Sequence, residues 1–247
     1  MAEAAPPDPG APRLRVIGPG RAGGSLAGAL AAAGWTVTQP LGRRDDPAGA
    51  AADVDFLVLA VPDAAIAEVA ARVAPGDAVV AHLAGSLGLD VLDPHPRRAS
   101  VHPLVSLPDP EVGARRLGAG AWFAVAGDPI AARVVADLGG RAVVVPDEQR
   151  AAYHAAACIA ANHLVALLGQ VERVAAPVGV PLEAYLALAR DTLANVAELG
   201  PRAALTGPAA RGDEATLARH RAVLDPSERA AYDALAEQAG RLARGAG

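Results

Sequence analysis

Lysine is absent from this sequence, so all 22 basic residues are arginines. Catalysis through a lysine Schiff base and proton donation by a lysine are therefore excluded. The sequence also has a single cysteine, Cys158. One cysteine forms neither a disulfide framework nor a thiolate metal cluster, and it fits a reducing compartment. We therefore expect no metal in the site.

A basic surface is missing as well. The formal net charge is −5, and no arginine-rich run contains interleaved aromatic residues. Such a chain is a poor candidate for general nucleic-acid binding, which makes a small molecule the expected partner. The N-terminus has proline and aspartate where a signal peptide needs a basic start and an apolar run, and no segment approaches the uncharged length of a membrane helix. We expect a cytoplasmic protein with no membrane partner.

The order of apolar runs predicts an α/β protein with two domains. Residues 1–12 are rich in proline and alanine and are predicted to be a disordered leader. Residues 13–147 alternate short apolar runs with helical patterns, which predicts a Rossmann-like, mostly parallel sheet. The predicted strands cover residues 14–17, 35–38, 56–61, 78–83, 100–101, 122–126 and 142–145, and the predicted helices cover residues 22–33, 63–73 and 129–138.

Residues 148–247 have the pattern of an all-helical domain. The segment 148–178 is apolar nearly all round, as expected of a helix buried in a bundle or in a dimer interface. Pro181 begins the next predicted helix and Gly200 ends it. Asp213 and Asp225 are placed to cap the last two helices.

A glycine-rich turn follows the first predicted strand. The residues Gly18, Gly20 and Gly23 match the G-x-G-x-x-G pattern, with Arg21 and Ala22 between the last two glycines. In a βαβ unit these glycines permit a tight turn, a close approach to a pyrophosphate and close packing of helix on strand, while the helix N-terminus supplies amide donors. The alternative is a strand-to-helix turn that binds no ligand.

Arginines follow the second predicted strand where NAD-binding domains have an acidic residue. The stretch contains Arg43 and Arg44, with Asp45 and Asp46 too late in the turn to take the place of that acid. Arginines bind phosphate in a bidentate manner, so this pair predicts a clamp for the 2′-phosphate of NADP(H). The alternative is a solvated cluster of charges.

Two histidines end predicted strands, at the sheet edge where ligands bind in open α/β folds. His82 leads into a turn with Ser86, and His102 follows the next strand. Both are candidates to line the substrate site, although His82 can equally be a side chain that stabilises the turn. The histidines His95 and His220 lie in contexts expected to be exposed, and we set them aside.

The first long helix carries an unusual polar stripe. His154, Cys158 and Asn162 are spaced by four residues each, which places them on one face of an α-helix. If it is buried, Asn162 must be paired or bind a ligand, and His154 can donate a proton to a carbonyl or imine. The alternative is hydrogen bonding between helices, with Cys158 as a small core residue.

The segment TGPAARGD combines a hydroxyl, a guanidinium and a carboxylate within eight residues. Thr206 and Arg211 are candidates to bind the substrate, and Arg211 can pair with a carboxylate. The alternative is a salt bridge between Arg211 and Asp213 that shapes the turn.

Several short sequence segments occur in an order that is typical of one protein family. They are GPGRAGGSLAGAL, AVPDAAI, HLAGSLG, SVHPL, YHAAACIAAN, TLANV and LTGPAARGD. Together they resemble a bacterial family that joins a Rossmann-like NADP-binding domain to a C-terminal helical domain of unknown function. That family lies in the 6-phosphogluconate dehydrogenase-like superfamily, near pyrroline-carboxylate and ketopantoate reductases.

The resemblance implies a two-domain reductase, a homodimer formed through the helical domain, and an active site in the cleft between the domains. It implies that Val61 and Pro62 flank the nicotinamide half of the cofactor. It also places His154 and Asn162 on the helix that elsewhere bears a catalytic lysine and asparagine. Because this chain has no lysine, its proton donor must differ from that of the related hydroxyacid dehydrogenases.

Three functions follow as hypotheses. The first is hydride transfer from NADPH to a small 2-oxo acid or cyclic imine, with ketopantoate as the first substrate to test. In it, His154 or His102 donates the proton, Asn162 orients the acceptor and Arg211 pairs with the carboxylate. The others are a non-catalytic NADP-binding sensor or partner protein, and a reductase that uses a deazaflavin.

Overall fold

A computed structural model describes residues 10–245 of the chain. Most of the predicted leader, residues 1–9, lies outside the described residues. The chain divides into two compact units, Met1–Ala161 and Asn162–Gly247. The division falls later than the boundary predicted at residue 147, because the start of the first long helix packs against the sheet.

The first unit is built on one sheet. Within the described residues it has seven strands in the order β2-β1-β3-β4-β5-β6-β7, and all neighbours are parallel except β5 and β6. The strands are β1 (Arg13–Ile17), β2 (Thr36–Val37), β3 (Phe56–Leu59), β4 (Val79–His82), β5 (Arg98–Pro103), β6 (Trp122–Gly127) and β7 (Arg141–Val144). This confirms the predicted α/β class with a mostly parallel sheet.

Helices connect the strands. They are α1 (Arg21–Ala32), α2 (Ile66–Arg72), α3 (Pro110–Leu117), α4 (Ile130–Asp137) and α5 (Arg150–Cys158), with 3₁₀ turns at Asp63–Ala65, Leu89–Leu92 and Asp147–Gln149. Helix α3 was not predicted from the sequence, because its two arginines weaken its apolar pattern. Its start was nevertheless readable, since the Asp109 side chain caps the Val112 amide and Pro110 occupies the first turn.

The core explains why β3 is an unbroken apolar run. Phe56 and Val58 face one side of the sheet and pack with α1 and α4, whereas Leu57 and Leu59 face the other side and pack with α2. All four side chains are fully buried. A strand covered on both faces needs apolar residues at successive positions rather than at alternate ones.

One histidine lies in a different environment from the one expected. His95 is buried rather than exposed, and its Nε2 lies 2.9 Å from the carbonyl oxygen of Ala70. The prolines around it made the segment look like a surface loop, but the following strand draws it under α2.

The second unit is helical throughout its described residues. A π-helical turn at Ile159–His163 leads into α6 (Leu164–Ala175), a 3₁₀ turn (Ala176–Val178), α7 (Leu182–Leu199), α8 (Pro201–Ala204), α9 (Pro208–Arg211), α10 (Glu214–Val223) and α11 (Pro226–Arg244). The predicted caps are confirmed, because the side chains of Asp213 and Asp225 accept hydrogen bonds from the amides of Thr216 and Ser227.

The long apolar helix departs from two expectations. Asp147–Val178 is apolar and long enough to cross a membrane by length and composition, with a mean hydropathy of 1.4 over its best window. The expectation that no segment approaches the uncharged length of a membrane helix is therefore wrong, because residues 151–171 contain no Asp, Glu or Arg. None of that window is buried within the chain, so this helix is not the core of a bundle in one copy of the protein.

Candidate functional site

The glycine turn between β1 and α1 has three distinct environments. Gly18 has a φ of 90°, and a Cβ there would lie 2.6 Å from the Ala60 carbonyl oxygen. A Cβ on Gly23 would overlap the Gly18 carbonyl oxygen and lie 2.8 Å from Val16 Cγ1. At Gly20 a Cβ would meet no described atom within 4 Å. The first and third glycines are thus required by packing, whereas the second leaves open space beside the backbone.

The start of α1 is suited to bind phosphate. The cap residue Gly20 provides no side chain to satisfy the first amides, and Arg21 begins the helix. Unpaired amides at a helix N-terminus attract anions. Together with the open space at Gly20, this arrangement fits the pyrophosphate of a dinucleotide.

The predicted arginine pair lies directly beyond the sheet edge. Leu41 pairs with Ile17 of β1, and its carbonyl oxygen accepts a 2.8 Å hydrogen bond from the Gly18 amide. Arg43 and Arg44 follow it, exposed, with no ion-pair partner among residues 10–245. The neighbouring Asp45 carboxylate instead accepts a 2.7 Å hydrogen bond from the Gly42 amide. Two exposed guanidinium groups therefore follow the segment that is hydrogen-bonded to the glycine turn.

Val61 and Pro62 follow β3 on the same edge. Val61 Cγ1 would lie 3.3 Å from a Cβ on Gly18, so these residues adjoin the glycine turn. Asp63 then begins a 3₁₀ turn, and its Oδ2 lies 3.4 Å from the Ser86 hydroxyl. Ser86 is thus brought to the carboxyl end of β3.

His82 is held by the loop that follows it. Its ring is fully buried, Nδ1 accepts a 3.2 Å hydrogen bond from the Ala84 amide, and Nε2 lies 3.1 Å from the Gly88 carbonyl oxygen. Because Nδ1 is an acceptor, the proton must be on Nε2, which donates to Gly88. Burial lowers the pKa of His82, consistent with a neutral ring. Both nitrogens are engaged by backbone, the geometry of a turn-stabilising side chain.

His102 and two residues of α5 form a compact cluster. The hydroxyl oxygen of Tyr153 lies 2.7 Å from His102 Nδ1, and the rings of His102 and His154 meet edge to face at 5.8 Å. Gly85 packs against both histidines, since a Cβ there would lie 2.9 Å from His102 Nε2 and 2.5 Å from His154 Cδ2. The glycine is what lets the loop approach the two rings.

The cluster is electrostatically unusual. Burial, followed by electrostatic interactions with His154, Arg150 and His82, lowers the pKa of His102 to about 4. Burial raises the pKa of Tyr153, although the charge of Arg150 acts in the opposite direction. At neutral pH the pair is therefore an uncharged imidazole bonded to a protonated phenol, an arrangement that can pass a proton through one hydrogen bond.

The predicted polar stripe is only half present. Cys158 Sγ lies 3.9 Å from His154 Nε2, as the spacing of four residues predicts. Asn162 comes after the start of the π-helical turn, in the second unit, and its side chain is exposed. The condition that Asn162 is buried, and therefore needs a partner, is not met within the single chain.

Two charged residues of the first unit, Arg150 and Asp147, were not predicted as site residues. Arg150 is fully buried, and its Nε donates a 3.2 Å hydrogen bond to Asp147 Oδ1. The other carboxylate oxygen of Asp147 accepts a 3.1 Å hydrogen bond from the Leu89 amide. The sequence did carry a signal for this pair: Asp147 and Arg150 are three residues apart at a helix start, and Tyr153 follows at the same interval, so the three side chains can be neighbours.

The TGPAARGD segment belongs to the second unit. It contains the short helix α9 rather than a plain loop, and Thr206 and Arg211 are both exposed. Asp213 is a helix cap, and the hydroxyl and amide of Thr216 lower its pKa. The Arg211–Asp213 salt bridge that the sequence left open is absent among the described residues, although the charge of Arg211 contributes to the lowered pKa of Asp213.

Two family models match the chain. Residues 39–108 match a Rossmann-like domain, and residues 123–239 match the domain of unknown function DUF2520. The chain therefore combines the two domains that the sequence resemblance predicted. No curated protein matches the chain in sequence.

Solved structures share the fold over almost the whole chain. A candidate NADP oxidoreductase from Bacteroides fragilis superposes with a TM-score of 0.78 at 22% identity, covering 94% of this chain and 98% of that one. A Thermotoga maritima protein gives 0.71 at 24% identity with the same coverage. Plasmodium falciparum pyrroline carboxylate reductase with NADP bound gives 0.62 at 14% identity, again covering 94% and 98%. At these identities the similarity establishes the fold.

Proposed function

We propose that this chain, which joins a Rossmann-like domain to a DUF2520 domain, is an NADPH-dependent reductase of a small carboxylate-bearing 2-oxo acid or cyclic imine. Ketopantoate is the first substrate to test. The observation that carries the proposal is the glycine turn, with its open space at Gly20 and the exposed guanidinium groups of Arg43 and Arg44 that follow the segment bonded to it. The names of two relatives that share the fold, an NADP oxidoreductase and an NADP-bound reductase, support the same cofactor.

Different residues of the first unit bind different parts of the cofactor. The amides of Arg21, Ala22 and Gly23 receive the pyrophosphate, and the arginine pair binds the 2′-phosphate. Val61 and Pro62 flank the nicotinamide half. When bound there, NADPH supplies a hydride to the carbonyl or imine carbon.

The reduced oxygen or nitrogen then needs a proton. His154 is the proposed donor, with His102 as the second candidate, and the Tyr153 hydroxyl can resupply a proton to His102 across their 2.7 Å contact. Ser86 lines this side of the site, and the buried His82, bonded to the backbone at Ala84 and Gly88, holds the loop that carries Ser86. In the second unit Asn162 orients the acceptor, and Thr206 and Arg211 are candidates for the substrate's polar groups; their exposure leaves them accessible.

We further propose that the protein is a cytoplasmic homodimer joined through the helical unit. Large apolar side chains there are exposed in the single chain, including Val165 at 70% and Leu188 at 62%. A second copy would cover this surface without the need for a lipid bilayer. Sedimentation of the purified protein without detergent tests this: a monodisperse dimer supports it, whereas a detergent requirement for solubility contradicts it.

Turnover decides whether the protein is a reductase. Purified protein is mixed with NADPH and a panel of 2-oxo acids and cyclic imines, and the loss of NADPH absorbance is followed. Consumption that depends on one acceptor supports the proposal. No consumption with any acceptor, together with tight NADPH binding, would instead favour a sensor.

Cofactor preference is tested separately by binding isotherms. We expect NADPH to bind at least about tenfold more tightly than NADH, which corresponds to about 1.4 kcal/mol. Arg43→Ala combined with Arg44→Ala should abolish the preference, because NADH lacks the 2′-phosphate. Equal binding of the two cofactors by the wild-type protein contradicts the role of the pair, and tight binding of a deazaflavin alone contradicts the choice of cofactor.

A further inference from the structure

We infer that the guanidinium of Arg150 is a binding site for the carboxylate of a small organic acid, formed wholly within the first unit. The inference rests on the proposed function, because it names the group that holds the substrate's negative charge. Arg150 has no exposed surface, and its Nη1 and Nη2 atoms are buried without a hydrogen-bond partner among the described residues. These two atoms carry four N–H donors.

The protein itself does not balance this charge well. Asp147 contacts only Nε, its side chain is 48% exposed, and its second oxygen is used by the Leu89 amide. A buried charge with unused donors is costly, and such groups in native proteins commonly mark a binding or catalytic role. A stabilising role would instead be expected to use both outer nitrogens in hydrogen bonds.

Arg150 is also placed next to the proposed chemistry. It lies three and four residues before Tyr153 and His154 on α5, so the three side chains share one face of that helix. Its charge is near enough to contribute to the lowered pKa values of His82 and His102 and to oppose the raised pKa of Tyr153. An acid held there has its adjacent carbonyl or imine carbon near the proton-passing cluster.

The shape of the free donors favours a carboxylate. The two outer nitrogens of a guanidinium form a planar fork that matches the two oxygens of one carboxylate. The enclosed position favours a small, singly charged ligand. Because the guanidinium has no exposed surface, binding requires a local shift of the residues that surround it.

Thermal unfolding tests the inference without any turnover. The probes are 2-oxoisovalerate, its uncharged methyl ester, and inorganic phosphate. The acid at about 100 times its dissociation constant should raise the Tm of the wild-type protein by roughly 5 °C, whereas the ester should not. Arg150→Met should lose this shift while its ligand-free Tm stays equal to or above that of the wild type, because removing an unbalanced buried charge relieves a cost.

The control variant is Arg72→Met, an exposed arginine of α2 in the same unit, which should respond to the acid as the wild type does. Binding of NADPH to Arg150→Met, measured by its fluorescence, shows that the variant is folded. Three outcomes overturn the inference: no shift of the wild type with the acid, an equal shift with the ester or with phosphate, or a shift that persists in Arg150→Met. In the last case, loss of the shift in Arg211→Met would assign the carboxylate to Arg211.

The proposed function can fail independently. If NADPH is never consumed but the acid-dependent shift requires Arg150, the carboxylate site stands and the reductase does not. If NADPH is consumed but the shift does not depend on Arg150, the reductase stands and the site is lost.

Discussion

The two units depart from ordinary burial in opposite ways. The first unit buries ionisable side chains, including Arg150, His82 and His95, within a well-filled core. The second unit does the reverse: only Ala175, Leu224 and Gly240 are buried among its described residues, and Val223 is 85% exposed. Buried polar groups and exposed apolar groups both cost free energy, so each needs a function to explain it. The first departure points to a ligand site and the second to a partner surface.

The largest expected effect concerns the buried polar cluster of the first unit. The pKa of His102 is about 4 in the folded protein against an ordinary 6.5, so between these values the unfolded chain binds more protons than the folded one. The unfolding free energy should therefore be highest above pH 6.5 and fall as the pH drops to about 4, with this one group contributing about 3 kcal/mol. Urea unfolding at a series of pH values measures this slope.

The variant His102→Gln should unfold with a shallower dependence on pH over this window, whatever its absolute stability. Tyr153→Phe is the control, because the causes of the lowered pKa are burial and neighbouring charges rather than the tyrosine hydroxyl. Identical slopes for His102→Gln and the wild type would show that His102 is not the source of the pH-dependent stability of the first unit.

The second-largest expected effect is on dimerisation, and it is tested with two valines that are about equally exposed. Val165 of α6 is 70% exposed and Val144 of β7 is 73% exposed, but they belong to different units. If the second unit forms the dimer, Val165→Asp places a charge in the interface and should weaken dimerisation by about 30-fold, or about 2 kcal/mol. Val144→Asp should leave the dissociation constant unchanged.

Analytical ultracentrifugation over a range of protein concentrations measures both constants. Dissociation caused by Val144→Asp and not by Val165→Asp would assign the interface to the sheet edge and reverse the comparison between the units. An unchanged dimer in both variants would remove this helix face from the interface.

The two units also differ in how much the sequence predicted. The sheet was predictable because residues such as those of β3 form a run too short for a helix and too apolar for a surface strand. The glycine turn was predictable because Gly18 and Gly23 each have a packing reason visible in the motif. Arg150 was not, since its importance depends on burial and on unpaired nitrogens, which are properties of the folded chain. The π turn that contains the exposed Asn162 was not predictable either, because no simple spacing encodes such a turn.

The smallest effect tests whether the two units unfold together. Asp109 caps α3 in the first unit, and Asp213 caps α10 in the second, each through a side-chain bond to a backbone amide. Loss of one such cap lowers the Tm of a chain of this size by roughly 2–4 °C. In a single cooperative transition, Asp109→Ala and Asp213→Ala should shift the same calorimetric peak by similar amounts. If the second unit is instead stabilised by its partner copy, Asp213→Ala should produce a second calorimetric peak at a temperature that depends on protein concentration. Asp109→Ala should then shift only the peak of the first unit.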